Sequence, residues 1–138
     1  MKTPVLILLL ISTLFAISCK KDTNTTPQFS IVGKEYAARW KVNYNNRQEY
    51  VHLVFHENGV VELFSSVEKL LIYNIDKLTY TKSGDTYNIK GVIDETHYLP
   101  KGTEVNWMIT PTKDPSYEGS TIKSTFEIGD LHFVDQRY

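Results

Sequence analysis

The chain has 138 residues, with 15 Lys plus Arg against 16 Asp plus Glu and a formal net charge of −1. Near-neutral balance gives no electrostatic footprint for a phosphate backbone, so no nucleic-acid partner is expected. A single cysteine excludes an internal disulfide, and packing has to hold the fold together.

Met1-Lys2 opens the chain with a positive charge, and Val5 to Ile17 follows as an apolar run interrupted by Ser12 and Thr13. That run is short of the roughly 20 residues a helix needs to span a bilayer. It closes on Ala16-Ile17-Ser18-Cys19, small residues before the only cysteine, the form of a secretory signal with its cleavage site. The stretch resembles a bacterial lipoprotein signal peptide. The resemblance implies that residues 1–18 are removed and that Cys19 is lipidated on its sulfur and acylated on its new amine. Each buried methylene contributes about 0.8 kcal/mol to retention, so a multiply acylated cysteine holds nearly permanently. Lys20-Lys21-Asp22 is similar to the start of surface-exported lipoproteins of the Bacteroidota, but carries one acidic residue where that signal has two. No aspartate directly follows Cys19. Outer-membrane attachment through the lipid anchor is the expectation, with the leaflet open.

Residues 19–28 comprise that cysteine and a flexible tether, since Asp22 to Gln28 has no apolar periodicity. Residues 29–138 are one domain's worth of chain, enough to bury roughly two-thirds of its unfolded surface. Tyr36, Ala38, Trp40, Val42 and Tyr44 alternate with Ala37, Arg39, Lys41 and Asn43, which predicts a half-buried strand with an aromatic inner face. Tyr50 to His56 repeats the pattern with Val51, Leu53 and Phe55 inward, and Glu57-Asn58-Gly59 turns it into Val60 to Ser65. Asn-Gly between apolar runs is the strongest short hairpin signal. Further hairpins are marked by Ser83-Gly84-Asp85 and Gly129-Asp130, and Pro100-Lys101-Gly102 precedes a strand from Glu104 to Thr110. The inward set on these strands is Tyr87, Ile89, Ile93, Val105, Trp107, Ile109, Ile122, Phe126, Ile128, Leu131 and Phe133. Between Thr110 and Gly119, Pro111 and Pro115 predict a loop outside any ladder.

Ser66 to Lys77 is ambiguous. Val67, Leu70, Leu71, Ile75 and Leu78 fall at helical spacing, and Ser65-Ser66-Val67-Glu68 fits a capping box. Leu70-Leu71-Ile72-Tyr73-Asn74-Ile75 has the β-branched and aromatic content of a strand, and strand is the reading preferred. The whole is all-β: an antiparallel up-and-down meander of seven to eight strands, closed as a barrel or folded as a β-sandwich. Val32-Gly33-Lys34 before an aromatic strand, then Phe55-His-Glu-Asn-Gly59-Val60-Val61-Glu62, resembles the lipocalin-like lipoprotein domains of the Bacteroidota. Trp stands at position 40 here, where true lipocalins have Gly-x-Trp in the first strand. The resemblance implies a lipocalin-like barrel and carries no function by itself.

Few residues suggest chemistry. His52 and His56 lie four apart, but on a strand that spacing is roughly 13 Å, too far for one metal ion; both are expected to face away from the core, solvent-facing or flanking the hairpin. Asp94-Glu95-Thr96-His97 gathers two carboxylates and an imidazole in a loop, a set suited to acid-base work or calcium but more often solvated. HExxH, a nucleophile elbow, a phosphate loop and a Cys–His pair are all missing from the sequence. No catalytic residue, metal or cofactor is therefore expected, and the chain reads as a non-enzyme. The aromatic residues Tyr36, Trp40, Tyr87, Trp107 and Phe126, with Tyr44 beside them, converge either as plain core or, with Arg39 or Asn106 at the rim, as a pocket for a small apolar or amphipathic ligand. The competing expectation is an envelope protein that binds a protein partner through loops such as Pro111 to Gly119, as an accessory subunit or protease inhibitor.

Overall fold

Period-two sequence builds the architecture. The computed structural model describes residues 30–42, 46–67, 71–114, 116 and 123–136, and among them are nine strands and no helix. In chain order these are β1 (Glu35–Val42), β2 (Gln48–Phe55), β3 (Val60–Val67), β4 (Leu71–Ser83), β5 (Thr86–Val92), β6 (Glu104–Ile109), β7 (Thr112–Lys113), β8 (Ser124–Ile128) and β9 (Leu131–Asp135). They form one antiparallel sheet in the order β6-β5-β4-β3-β2-β1-β9-β8-β7, not the two facing sheets of a sandwich. The first six strands are a meander. β9 then returns to the free side of β1, with Tyr36 opposite Asp135 and Ala37 opposite Val134.

The sheet curls on itself as a half-barrel. Phe55 of β2 touches Phe126 of β8 at 6.1 Å and Tyr87 of β5 at 6.4 Å between ring centroids, strands that are not neighbours in the sheet. Inside lie Ile31, Val51, Leu53, Val61, Leu63, Leu78, Ile89, Ile93 and Phe133, all buried. Each large side chain so buried contributes roughly 1.5–3 kcal/mol by removal from water. Of the inward set expected from the sequence, Ile122 lies outside the described residues, Trp107 and Leu131 are half-buried, and the rest are buried.

The β2–β3 hairpin follows its signal. Gly59 has φ 79°, where a side chain would be strained, and Asn58 Oδ1 accepts from Val60 N at 3.2 Å. Ser66 to Lys77 is strand wherever it is described: Ser66 and Val67 end β3, and the 13-residue β4 runs from Leu71 through what reads in sequence as two segments. The helical spacing has a physical origin. Register shifts between Leu63 and Ser65 on β3, whose partners are Asp76 and Tyr73; one extra residue is accommodated on β4, where Asn74 takes φ 50°. A bulge of this kind interrupts the period of two. The proline-flanked segment also departs from expectation, because Thr112 and Lys113 pair with Thr125 and Ser124 as β7. That pairing makes nine strands where seven or eight are expected.

Candidate functional site

At the closed end of the half-barrel the interior is filled. Tyr36 is fully buried, its hydroxyl hydrogen-bonded to Ser124 Oγ and its ring 4.6 Å from Phe126 and 6.0 Å from Phe55. Tyr87 is fully buried between Phe55 and Tyr80, and its hydroxyl has no hydrogen-bond partner. Three of the five aromatic residues expected at a pocket, Tyr36, Tyr87 and Phe126, are therefore packed core. Trp40 and Trp107 are only partly buried and stand at the other end. Tyr98, from the loop between β5 and β6, lies 5.6 Å from Trp40 and 6.4 Å from Trp107. Burial, with Asp130's charge as a smaller cause, holds the Tyr98 hydroxyl above the usual tyrosine pKa.

A single buried carboxylate positions that loop. Asp76 Oδ1 accepts from the backbone N–H of Asp94 at 2.8 Å and of Glu95 at 2.9 Å, while Oδ2 accepts from Thr96 N–H at 2.8 Å. Asp94 is held at 2.5 Å by Lys101, and this hydrogen bond raises the lysine's pKa. The Asp94-Glu95-Thr96-His97 group is thus held by its backbone, and Glu95 and His97 remain exposed. Among the described residues no three His, Cys, Asp or Glu side chains are grouped to hold a metal.

Beside the loop, where β1 passes to β2 and β3 to β4, a recess of about 350 Å³ is lined by Lys41, Glu49, Ser65, Ser66, Val67 and His97. A second bulge creates it. Register shifts between Arg39 and Lys41 on β1, so Lys41 pairs with Glu49, which shares a sheet face with Val51 by the alternation of a strand. Simple alternation puts Lys41 on the outer face; the bulge re-aims it, as bulges do. Lys41 Nζ lies 3.4 Å from Glu49 Oε2 and 3.8 Å from the centroid of the Trp40 ring. With Lys41 half-exposed, that ion pair contributes at most about 1 kcal/mol to stability. His97 Nε2 accepts from Asn74 Nδ2 at 2.9 Å, which leaves the ring's other nitrogen to donate. Arg39 and Asn106, expected at a rim, are exposed and do not line this recess.

The two strand histidines have separate partners. His56 Nε2 stands 3.2 Å from Glu62 Oε2, within ion-pair range but not aligned as a hydrogen bond. His52 overturns the expectation of a solvent-facing side chain: it is 3% exposed. Its Nδ1 lies 2.7 Å from Glu35 Oε1, its Nε2 2.7 Å from Ser66 Oγ, and its ring stacks on Phe64 at 4.7 Å and 7°. The ladder sets this up, placing His52 opposite Ala37 and Phe64 and Ser66 opposite Tyr50. Sequence reading finds His52 but neither Glu35 nor Ser66, because cross-strand neighbours are set by register. Cys19 and Tyr44 lie outside the described residues, as do the signal and tether. No helix of the described residues is long and apolar enough to cross a membrane. No protein-family model matches the chain, and neither a curated protein nor a solved structure matches it.

Proposed function

We propose that this protein is an outer-membrane lipoprotein whose lipocalin-like barrel domain binds a small apolar or amphipathic ligand at its mouth. One observation carries the reading: the interior is filled by Tyr36, Phe55, Tyr87 and Phe126, whereas the mouth keeps a recess of about 350 Å³. That volume falls within the roughly 300–1,000 Å³ of small-molecule sites, which pair apolar walls with a few placed polar groups. Val67 supplies apolar wall, Lys41 and Glu49 opposite charges, and Ser65 and His97 hydrogen-bonding groups. Anchoring through Cys19 would hold the domain at the membrane by its lipid chains.

Trp40 and Trp107 are the chain's only tryptophans, so their fluorescence reports on the mouth. Titration with a medium-chain fatty acid and with a lysolipid is expected to change that emission saturably. Lys41→Ala is expected to weaken binding about tenfold, which corresponds to about 1.4 kcal/mol, with little change in the unfolding midpoint. Absence of any saturable change with either probe, together with a bare mass in native mass spectrometry, would contradict the reading.

The second reading, an envelope protein that binds a protein partner, is favoured by the edge at β6. Among the described residues β6 pairs only with β5, and Met108 on it is 77% exposed. An unpaired strand edge is a template for strand addition. Asn106→Lys with Met108→Lys would remove such binding and leave the mouth's ligand binding unchanged.

A further inference from the structure

The recess combines balanced charge with an unmet hydrogen bond. Lys41 and Glu49, its ammonium and its carboxylate, stand 3.4 Å apart, so their fields largely cancel for anything bound beside them. A ligand with one net charge is attracted by one of the pair and repelled by the other at nearly the same distance. A hydroxyl suits both: it accepts from the ammonium, which only donates, and donates to the carboxylate, which only accepts. The ammonium carries three N–H groups, so it can serve a ligand with the ion pair intact. Ser65 supplies the second observation. It lies opposite Val51 on the inward face and lines the recess at 7% exposure. Ser66 turns to the other face, where its hydroxyl bonds to His52, but the Ser65 hydroxyl has no hydrogen-bond partner among the described residues. A site with such a buried polar group rejects ligands that leave it unpaired. Asn74, at φ 50° in the β4 bulge, holds His97 through Nε2 at 2.9 Å, so the ring's Nδ1–H is a further donor.

We propose that the polar end of the ligand is an uncharged polyhydroxyl group, such as a sugar ring, seated on Ser65 between Lys41 and Glu49, with its apolar end along Val67. Adjacent ring hydroxyls each donate and accept, and so answer a donor and an acceptor placed side by side, as Lys41 and Glu49 are. The inference rests on the recess being the ligand site, and it narrows the ligand from amphipathic molecules at large to neutral glycosides that carry an apolar chain. Because the head is uncharged, its affinity does not depend on ionic strength.

The test titrates the purified protein with probes that share an octyl-length chain and differ in the head: n-octyl β-D-glucoside, octanoate, octyltrimethylammonium and octylphosphocholine. Each is kept below its micelle-forming concentration, and binding is read by tryptophan fluorescence and calorimetry. The glucoside is expected to bind at least about tenfold more tightly than the other probes, the discrimination that one well-placed hydrogen bond can supply. Added salt should leave its affinity unchanged. Ser65→Ala should weaken the glucoside about fivefold and leave the melting temperature unchanged or higher, since no described residue bonds to that hydroxyl. Lys41→Met should turn the preference toward octyltrimethylammonium, and Glu49→Gln toward octanoate, because each leaves one charge alone. A charged or zwitterionic probe that matches the glucoside in the wild type, or glucoside binding untouched by Ser65→Ala, overturns the proposal and keeps the recess as a binding site. No saturable binding by any of the probes overturns both readings.

Discussion

The two ends of the half-barrel draw on similar residues and use them differently. Toward the β2–β3 turn, Phe55 packs edge to face with Tyr36, Tyr87 and Phe126 at 6.0–6.4 Å, Tyr36 lies tilted on Phe126 at 4.6 Å, and all four are buried. At the mouth, Tyr98 contacts Trp40 at 5.6 Å and Trp107 at 6.4 Å, all three staying partly exposed, and a bulge beside Trp40 brings a charged pair to the rim. Aromatic content therefore does not distinguish core from site. What distinguishes them is whether the ladder keeps its period of two, as it does in the core, or breaks it, as it does at the bulges of β1 and β4.

The comparison breaks most visibly at Phe55. Its ring meets Tyr36, Tyr80, Tyr87 and Phe126, so Phe55→Ala should cost about 3–5 kcal/mol in chemical denaturation through lost burial and the cavity left behind. If that substitution abolished ligand binding in protein still fully folded, the interior would be the site. Asp76→Asn comes next. The amide cannot accept from all three N–H groups that the carboxylate serves, and a loss of about 2–3 kcal/mol is expected. Hydrogen exchange should quicken at Glu95 and Thr96 while the strands of the closed end stay protected.

Tyr87→Phe sharpens the contrast from the opposite side. Its buried hydroxyl has no partner, so removing it should stabilise the fold by up to about 1 kcal/mol, seen as a higher melting temperature. The smallest effect belongs to the exposed pair Lys101–Asp94. A lysine pKa raised in the folded state adds stability that is complete below the unfolded value of about 10.4 and disappears as pH climbs through the folded one. Alkaline melting curves of the wild type should therefore show a slight loss above about pH 10 that Lys101→Met lacks.

Much of the fold could be read along the chain, because burial alternates with sequence wherever strands are regular: Val51, Leu53, Phe55 and Tyr87, Ile89 follow the pattern. Asn58-Gly59 likewise announced its turn through the φ that only glycine adopts freely. The site was far less legible. Lys41 reaches the recess through a bulge that no pattern marks, and Glu35, His52 and Ser66 meet across three strands at sequence separations of 17 and 14. His52 was visible as a residue type but suggested exposure, since alternation gives the face and not what covers it. Asp76, in the stretch whose spacing looked helical, was hidden because the extra residue at Asn74 disguised the strand.

The central claim is that the half-barrel is filled at one end and receptive at the other. Amide chemical shifts of the isotope-labelled protein, followed while a saturating medium-chain fatty acid is added, test it most directly. Shifts concentrated at Lys41, Glu49, Ser65 to Val67 and His97, with Tyr36, Tyr87 and Phe126 unmoved, are the predicted result. Shifts centred on Tyr36, Tyr87 and Phe126 would contradict it.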